Sequence, residues 1–494
     1  MKDMTGGFPR AQFVLAPGKH AVPDGWSVRP LGGEWTLAVH PDLSATHCER
    51  GGRRLVMLGY ALDPAHPART DADIVEAVLA AGGGLFGLTR SVLGLGGRWV
   101  MIWQAGDEIG IFADATGLRS VFWGLDFGGR PWCASQPALL PEPVRGVPDQ
   151  EARAFLRRFA AISPEYWWPT DRTQWTGARR LLPNHLLDLA TGTVRRWWPS
   201  VPLHVPPVEE ILTTARRILE GTMQAAARRF RLALALSAGL DSRVVLAASH
   251  TIADQLHVYS GRRQSMSADH MDLGVPERLA AKLGLNHAVI AQPALMSPAV
   301  TEALALNAPD VHALRAPGVQ AELCAFGREL VGVTGNVSEV ARVHYRKRGE
   351  VDVEQLDGAA LAALMAMPTD DFAARAMDEW LADAGRPEGF DVLDLCYWEN
   401  RCGSWLSGNC LEFDVAWRDV LMPFNNRQLL ELMLAAPADK RSGPTPELYY
   451  ALIEAMWPEA LAEPVNPRPD RPASSLALLP RLVRQFRLLA RGRR

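Results

Sequence analysis

Cysteine is scarce and scattered in this chain. Its 494 residues hold six (Cys48, Cys133, Cys324, Cys396, Cys402 and Cys410), and no two have Cys-x2-Cys spacing. That argues against a structural zinc site and against a disulfide framework, and makes free thiols in a reducing compartment the expectation. Net charge is nearly absent: a formal −3 over this length creates no global field to recruit nucleic acid. No apolar run is long enough for a bilayer, and the opening Met-Lys-Asp-Met-Thr-Gly-Gly-Phe-Pro lacks the apolar core of a signal peptide. A cytoplasmic protein with no transmembrane segment is expected. The Gly-x4-Gly-Lys-Ser/Thr phosphate loop is also missing, because Gly18-Lys19 has neither the hydroxyl residue nor the upstream glycine. Gly94-Leu-Gly96-Gly97 leads into Arg98-Trp-Val-Met-Ile-Trp, which reads as a strand where a dinucleotide fingerprint needs a helix.

Against these absences stands one segment, Leu232-Ala-Leu-Ala-Leu-Ser237-Ala-Gly239-Leu-Asp241-Ser242-Arg243-Val-Val-Leu-Ala-Ala. A short aliphatic run ended by a Gly-containing turn suits a strand buried on both faces of a parallel sheet. The small residues Ser237, Ala238 and Gly239 let backbone N–H groups approach an anion, and the helix that follows turns its positive end to the same place. Asp241 would repel a phosphate, so its presence predicts a bridging Mg²⁺. The stretch Leu236, Ser237, Ala238, Gly239, Leu240, Asp241 and Ser242 therefore reads as a nucleotide site, with ATP and Mg as the expected cofactors. An ordinary strand-to-helix turn is the plain alternative.

The length predicts two or more domains, and 48% hydrophobic with 22% charged residues is a globular composition. Up to about residue 150 the chain reads as β-rich. Arg53–Tyr60, Gly97–Trp103 and Ile109–Ala113 are short apolar runs between Gly, Asp and Pro, as in a layered sheet. Asp71 to Ala80 is a helix ended by Gly82-Gly-Gly, and Pro141-Glu-Pro143 with Pro148 marks a linker. A further helix and a hairpin over Arg179–Leu189, closed by Thr191-Gly-Thr, complete this part. After a second linker, Pro199 to Pro207, comes a helix over Val208–Phe230. Strands at Leu232–Leu236, Leu256–Gly261 and Ala288–Ala291 then alternate with helices, one of them Asp272–Leu283. That alternation predicts a doubly wound parallel sheet. Beyond residue 350 the pattern is helical.

Taken together, these pieces resemble the asparagine synthetase superfamily, which includes β-lactam synthetases and lasso-peptide cyclases. Its Ser-Gly-Gly-x-Asp-Ser loop is similar to Ser237-Ala-Gly-Leu-Asp-Ser242. Its Ser-x-Gly strand end is similar to Tyr259-Ser260-Gly261, and its Leu-Gly-x-x-His to Leu283-Gly-Leu-Asn-His287. Thr334-Gly335-Asn-Val-Ser338-Glu339 looks like its second acidic motif, and Pro423-Phe-Asn-Asn426 like its Pro-Phe-Leu-Asp. Phe112 to Trp123 looks like the Asp-x-x-Gly-x-Arg-x-x-Tyr hairpin of the family's N-terminal part, and Cys133-Ala-Ser-Gln136 like its Phe-Ala-Ser-Glu strand. The resemblance implies an α/β protein. Residues 1–200 would form a degenerate glutamine-amidotransferase-like domain of N-terminal-nucleophile type. Residues 205–475 would form an ATP-pyrophosphatase domain, and 476–494 a basic tail. It implies that ATP adenylates a small-molecule or peptide carboxylate, releasing pyrophosphate, and that ammonia or an amine then displaces AMP. Nucleotide contacts would also come from Ser260, Gly261 and Gly335. Asp241 and Ser338 would face the metal, and Glu339 would accept or orient the amine proton. A homodimer is an allowed assembly.

Several positions depart from the family pattern. Glutamine-using members need a cysteine at the mature N-terminus, whereas the second residue here is Lys2 and the first cysteine is Cys48, whose α-nitrogen lies in a peptide bond. Glutamine hydrolysis by that route is therefore not expected. Ser338 stands where the family has a metal-binding Asp, with Asp272 a candidate substitute. Asn426 replaces the late Asp. The family's late lysine has no equivalent, and Arg468 or Arg471 is the candidate replacement. Glu339 and Arg342 stand at i and i+3. That reads equally as a pair gripping substrate, with Arg342 catalytic, or as a surface ion pair. The tail Leu476–Arg494, with arginines among leucines, reads as a solvated end or as a surface for an anionic membrane or a partner. A catalytically silent nucleotide-binding or partner-docking homologue is the competing function; adenylation for sulfur or nitrogen insertion into a nucleobase is a weaker one.

Overall fold

The computed structural model describes residues 9–467 apart from 19, 310, 312, 347–350 and 444. Lys2, Arg468, Arg471 and the basic segment Leu476–Arg494 lie outside the described residues. The N-terminal part is two stacked antiparallel sheets of six strands each. The first runs Arg179–Arg180, Phe122–Leu125, Pro131–Ala134, Phe13–Pro17, Trp35–Val39, Ser27–Gly32. The second runs Thr193–Arg196, His185–Asp188, Glu108–Ala113, Gly96–Ala105, Arg53–Leu62, Ala45–Arg50. Alternate residues of the two sheets meet: Phe13, Leu15, Leu37 and Val39 of one pack with Val56, Leu58, Val100 and Ile102 of the other. The opposite face of the second sheet, with Leu55, Met57, Trp99 and Met101, is buried as well, beneath the helix Asp71–Ala81 and the C-terminal part. Burial on both faces explains why Arg53–Leu62 and Gly96–Ala105 read as continuous apolar runs.

The helix Asp71–Ala81 forms where expected and begins with a capping box, in which Thr70 and Asp73 satisfy each other's backbone N–H groups. Three expectations are corrected. The stretch Phe112–Trp123 is not one hairpin, because Glu108–Ala113 and Phe122–Leu125 lie in different sheets. Arg179–Arg180 and His185–Asp188 are likewise split between the sheets, and the true hairpin is His185–Asp188 with Thr193–Arg196 around Thr191-Gly192. The Pro141–Pro148 linker contains a short helix, Glu142–Arg145, and Pro148 bridges to Trp175.

The C-terminal part is built on a five-stranded parallel sheet in the order His287–Ala291, Leu256–Arg262, Leu232–Ala235, Val331–Val333, Asp419–Leu421. Helices Val208–Ala227, Leu240–Ala248, Met271–Lys282 and Ala316–Phe326 accompany it. The two parts are joined by buried ion pairs. Arg98 holds Asp414 through two bonds (2.5 and 2.9 Å) and Asp419 at 3.0 Å, while Arg119 reaches Asp419 at 2.5 Å. Asn425 adds hydrogen bonds to Thr116, Asp114 and the Gly97 carbonyl. Among the described residues no helix is long and apolar enough to cross a membrane.

Candidate functional site

Leu232–Ala235 is the middle strand of the parallel sheet. The chain adds Leu256–Arg262 and His287–Ala291 on one side of it, then crosses to add Val331–Val333 and Asp419–Leu421 on the other. Such a reversal leaves a crevice beyond the carboxyl ends of the strands, because the loops there diverge. A cleft enclosing about 1110 Å³ of space open to solvent lies at this point. Its walls bring together Leu236, Ser237, Asp241, Ser242, Gly261, Gly335 and Glu339, residues that span a hundred positions of sequence.

The loop after Leu236 turns on small residues. Ser242 Oγ accepts from the Ser237 amide at 3.2 Å, and Ser237 Oγ from the Gly239 amide at 3.1 Å. The Ala238 amide donates to Asp272 Oδ1 at 3.0 Å, so Asp272 sits at the loop itself. An anion entering here has to replace these internal acceptors. The helix Leu240–Ala248 follows at once, and the amides of its first turn have no acceptor within the helix. The Ala238 carbonyl is held by the Asn466 amide at 3.0 Å, and the neighbouring Arg243 guanidinium by the carbonyls of Glu463 and Pro464, so a late segment clamps the loop from behind. Ala238 and Leu240 turn their side chains into the core. Ser260, also buried, donates to the Leu236 carbonyl at 2.7 Å and meets His287 Nε2 at 2.9 Å, so its hydroxyl braces the strand rather than lining the cleft.

The second motif reaches the loop because Gly335 has no side chain. A Cβ there would lie 2.6 Å from the Asp241 carbonyl carbon and 2.8 Å from the Ser242 nitrogen. Val337 then adopts φ +78°, an unfavourable value for a β-branched residue, before a short 3₁₀ turn over Ser338–Ala341. Ser338 Oγ donates to Asp241 Oδ1 at 2.6 Å. The i, i+3 spacing of Glu339 and Arg342 brings the Arg342 amide to the Glu339 carbonyl at 3.1 Å, but the Arg342 side chain turns to Asp241 instead of to the Glu339 carboxyl. Its Nη1 contacts both Asp241 oxygens, at 3.0 and 3.1 Å. Glu339 lines the cleft half-buried, and burial together with the nearby Asp241 charge pushes its carboxyl well above the usual range. The charges of Arg342 and of Arg401, the latter from a π-helix over Tyr397–Leu406, pull the other way. Tyr397, on the same π-helix, packs against His344 and Tyr345.

The arrangement does not suit magnesium at Asp241 and Ser338. Mg²⁺ asks for six oxygens in a near-ideal octahedron and favours carboxylates. Here one carboxylate is spanned by a guanidinium, and its neighbour is a neutral hydroxyl. Asp272, the proposed substitute, is bonded to a loop amide. Among the described residues no group of three or more His, Cys, Asp or Glu is placed to hold a metal ion.

At the far end of the cleft lie residues that carry no motif. Glu322 accepts from Tyr259 Oη at 3.1 Å and from Trp417 Nε1 at 2.9 Å, and burial raises its carboxyl. Arg315 lies over the rings of Trp405 and Phe413. Tyr259 was visible at a strand end. Nothing local marks Glu322, Arg315 or Trp417, which meet only through tertiary packing.

No family model matches this sequence, and no curated protein shows significant similarity to it. Among solved structures the chain is similar to the glutamine phosphoribosylpyrophosphate amidotransferase from B. subtilis complexed with ADP and GMP. The identity is 10%, with 67% of this chain and 71% of that one covered and a TM-score of 0.24. It is also similar to a structure described as the allosteric regulatory enzyme of purine biosynthesis, at 11% identity, with 60% and 71% covered and a TM-score of 0.24. Overlap this slight carries no argument about fold or chemistry.

Proposed function

We propose that this chain is an ATP-dependent amide-forming ligase of asparagine synthetase type. The observation that carries the reading is the meeting of the Ser237–Ser242 loop and Glu339 in one cleft at the crossover of a parallel sheet. In the proposed sequence a substrate carboxylate oxygen attacks the α-phosphorus of ATP and pyrophosphate departs. The nitrogen of ammonia or an amine then attacks the acyl carbon, loses a proton and expels AMP. First-turn amides of the helix Leu240–Ala248 and the Ser242 hydroxyl would stabilise charge on the leaving diphosphate, where losing one such donor typically costs about 3 kcal/mol in the barrier. A carboxyl raised toward neutrality is suited to accept the amine proton, which is the role given to Glu339. Cys48 lies mid-strand in Ala45–Arg50, in keeping with an N-terminal part that serves as scaffold.

The test is pyrophosphate exchange into ATP across a panel of carboxylic acids. An acid-dependent exchange that Ser242→Ala lowers by about a hundredfold supports the reading. Turnover that releases ADP and phosphate overturns it. A silent nucleotide-binding homologue is the second reading, favoured by the Asp241–Arg342 pair. ATP binding without exchange for any acid would select it.

A further inference from the structure

Asp241 has the position and chemistry of a metal ligand, yet both of its oxygens lie within 3.1 Å of Arg342 Nη1, and one also accepts from Ser338 Oγ at 2.6 Å. We propose that Arg342 replaces the divalent cation at Asp241, so that the cleft binds the diphosphate of its nucleotide with no metal ion on that carboxylate. The inference rests on the nucleotide reading given above and names how the charge in that site is balanced.

Three observations support it. The first is charge. A dication between two carboxylates makes a neutral set, and one carboxylate with one guanidinium makes a neutral set as well. Ser338 supplies the position where a second negative charge is absent. A carboxylate there would crowd Asp241 Oδ1, whereas the hydroxyl donates to it. The second is support for the arginine. Its guanidinium lies 5.3 Å from the ring centre of Tyr449, and the Tyr449 hydroxyl donates to the Ser338 carbonyl at 2.6 Å. One ring thus fixes both partners of Asp241. The third is occupancy of the carboxylate. A hard cation would have to expel the guanidinium and would gain only one carboxylate and one neutral oxygen. Arg342 acts here through Asp241 and is a positioning residue: it cancels a charge that would otherwise repel the diphosphate beside the loop.

Calorimetry with inorganic pyrophosphate and the full-length chain tests this, combined with electron paramagnetic resonance of Mn²⁺. Binding in EDTA is expected, with no protein-bound Mn²⁺ signal when Mn²⁺ is added without pyrophosphate. Arg342→Met should weaken binding in EDTA at least tenfold, and should recover it when Mn²⁺ is supplied, because Asp241 is then uncovered. Arg342→Lys keeps the charge and should stay within a few-fold of wild type in EDTA, and thermal melts identify any variant that fails to fold. Wild-type binding that requires a divalent ion overturns the inference and leaves the ligase reading standing, as does an Arg342→Met variant that folds and binds in EDTA like wild type. No pyrophosphate binding in any condition overturns both.

Discussion

Replacing Glu412 by glutamine should flatten the pH dependence of stability. Glu412 sits on the helix Ser407–Ala416, one residue before the cleft-lining Phe413. It is 2% exposed, and its Oε2 has no hydrogen-bond partner among the described residues. Burial pushes its carboxyl from 4.5 up to about 8, against the pull of the Arg315 charge. The folded chain therefore holds a proton that the unfolded chain releases near 4.5. The resulting stability is fully present below 4.5 and is lost as pH rises through about 8. A gap of about 3.5 units at 1.36 kcal/mol each is worth about 5 kcal/mol, of which about 4 kcal/mol falls between pH 5 and 9. Glutamine keeps the shape of the neutral acid and cannot ionise, so other titrations cancel in the comparison. Urea unfolding of both proteins from pH 5 to 9.5 should give wild-type stability that drops relative to Glu412→Gln by a few kcal/mol. Parallel curves would show that this carboxyl is ionised at little cost in the fold, and would refute the reasoning.

Three further outcomes are expected. Gly335→Ala forces a methyl group to within 2.6 Å of the Asp241 backbone, so it should cost about 1–3 kcal/mol in urea unfolding and weaken ATP binding in calorimetry at least tenfold. Glu339→Gln should leave ATP binding and pyrophosphate exchange near wild type while amide formation falls by about 10²–10⁴, read by product chromatography. Asp383 is held down to about 2, despite burial, by hydrogen bonds and charge from His185 and Arg196, so its stabilising effect is present above 3.8 and is lost as pH falls through about 2. Asp383→Asn should therefore show a shallower acid limb below pH 4 in circular dichroism.

The elements that could be read from the sequence are those whose information is local. The aliphatic run before Ser237, the small residues of the loop and the cap at Thr70 each declare their conformation within a few residues. Two strands of the parallel sheet could not be read this way: Val331–Val333 and Asp419–Leu421 have three residues each, too few to show a period, and the second lies in a region that is otherwise helical. The split of Phe112–Trp123 between two sheets was equally hidden, since a turn signal does not say which sheet the chain rejoins. In the site, Asp241, Glu339 and Gly335 were legible as motif positions. The partner of Arg342 was not, because the i, i+3 rule sees one helix and the contact is with a residue a hundred positions away.

Asp419 begins the outermost strand of the parallel sheet, and its carboxylate is held by two arginines from the N-terminal layers. A strand in that place would otherwise offer unpaired backbone groups to any passing chain. The N-terminal layers thus shield a sticky margin as well as neutralising two buried acids. A fragment beginning near residue 205 would lose that shield and should self-associate.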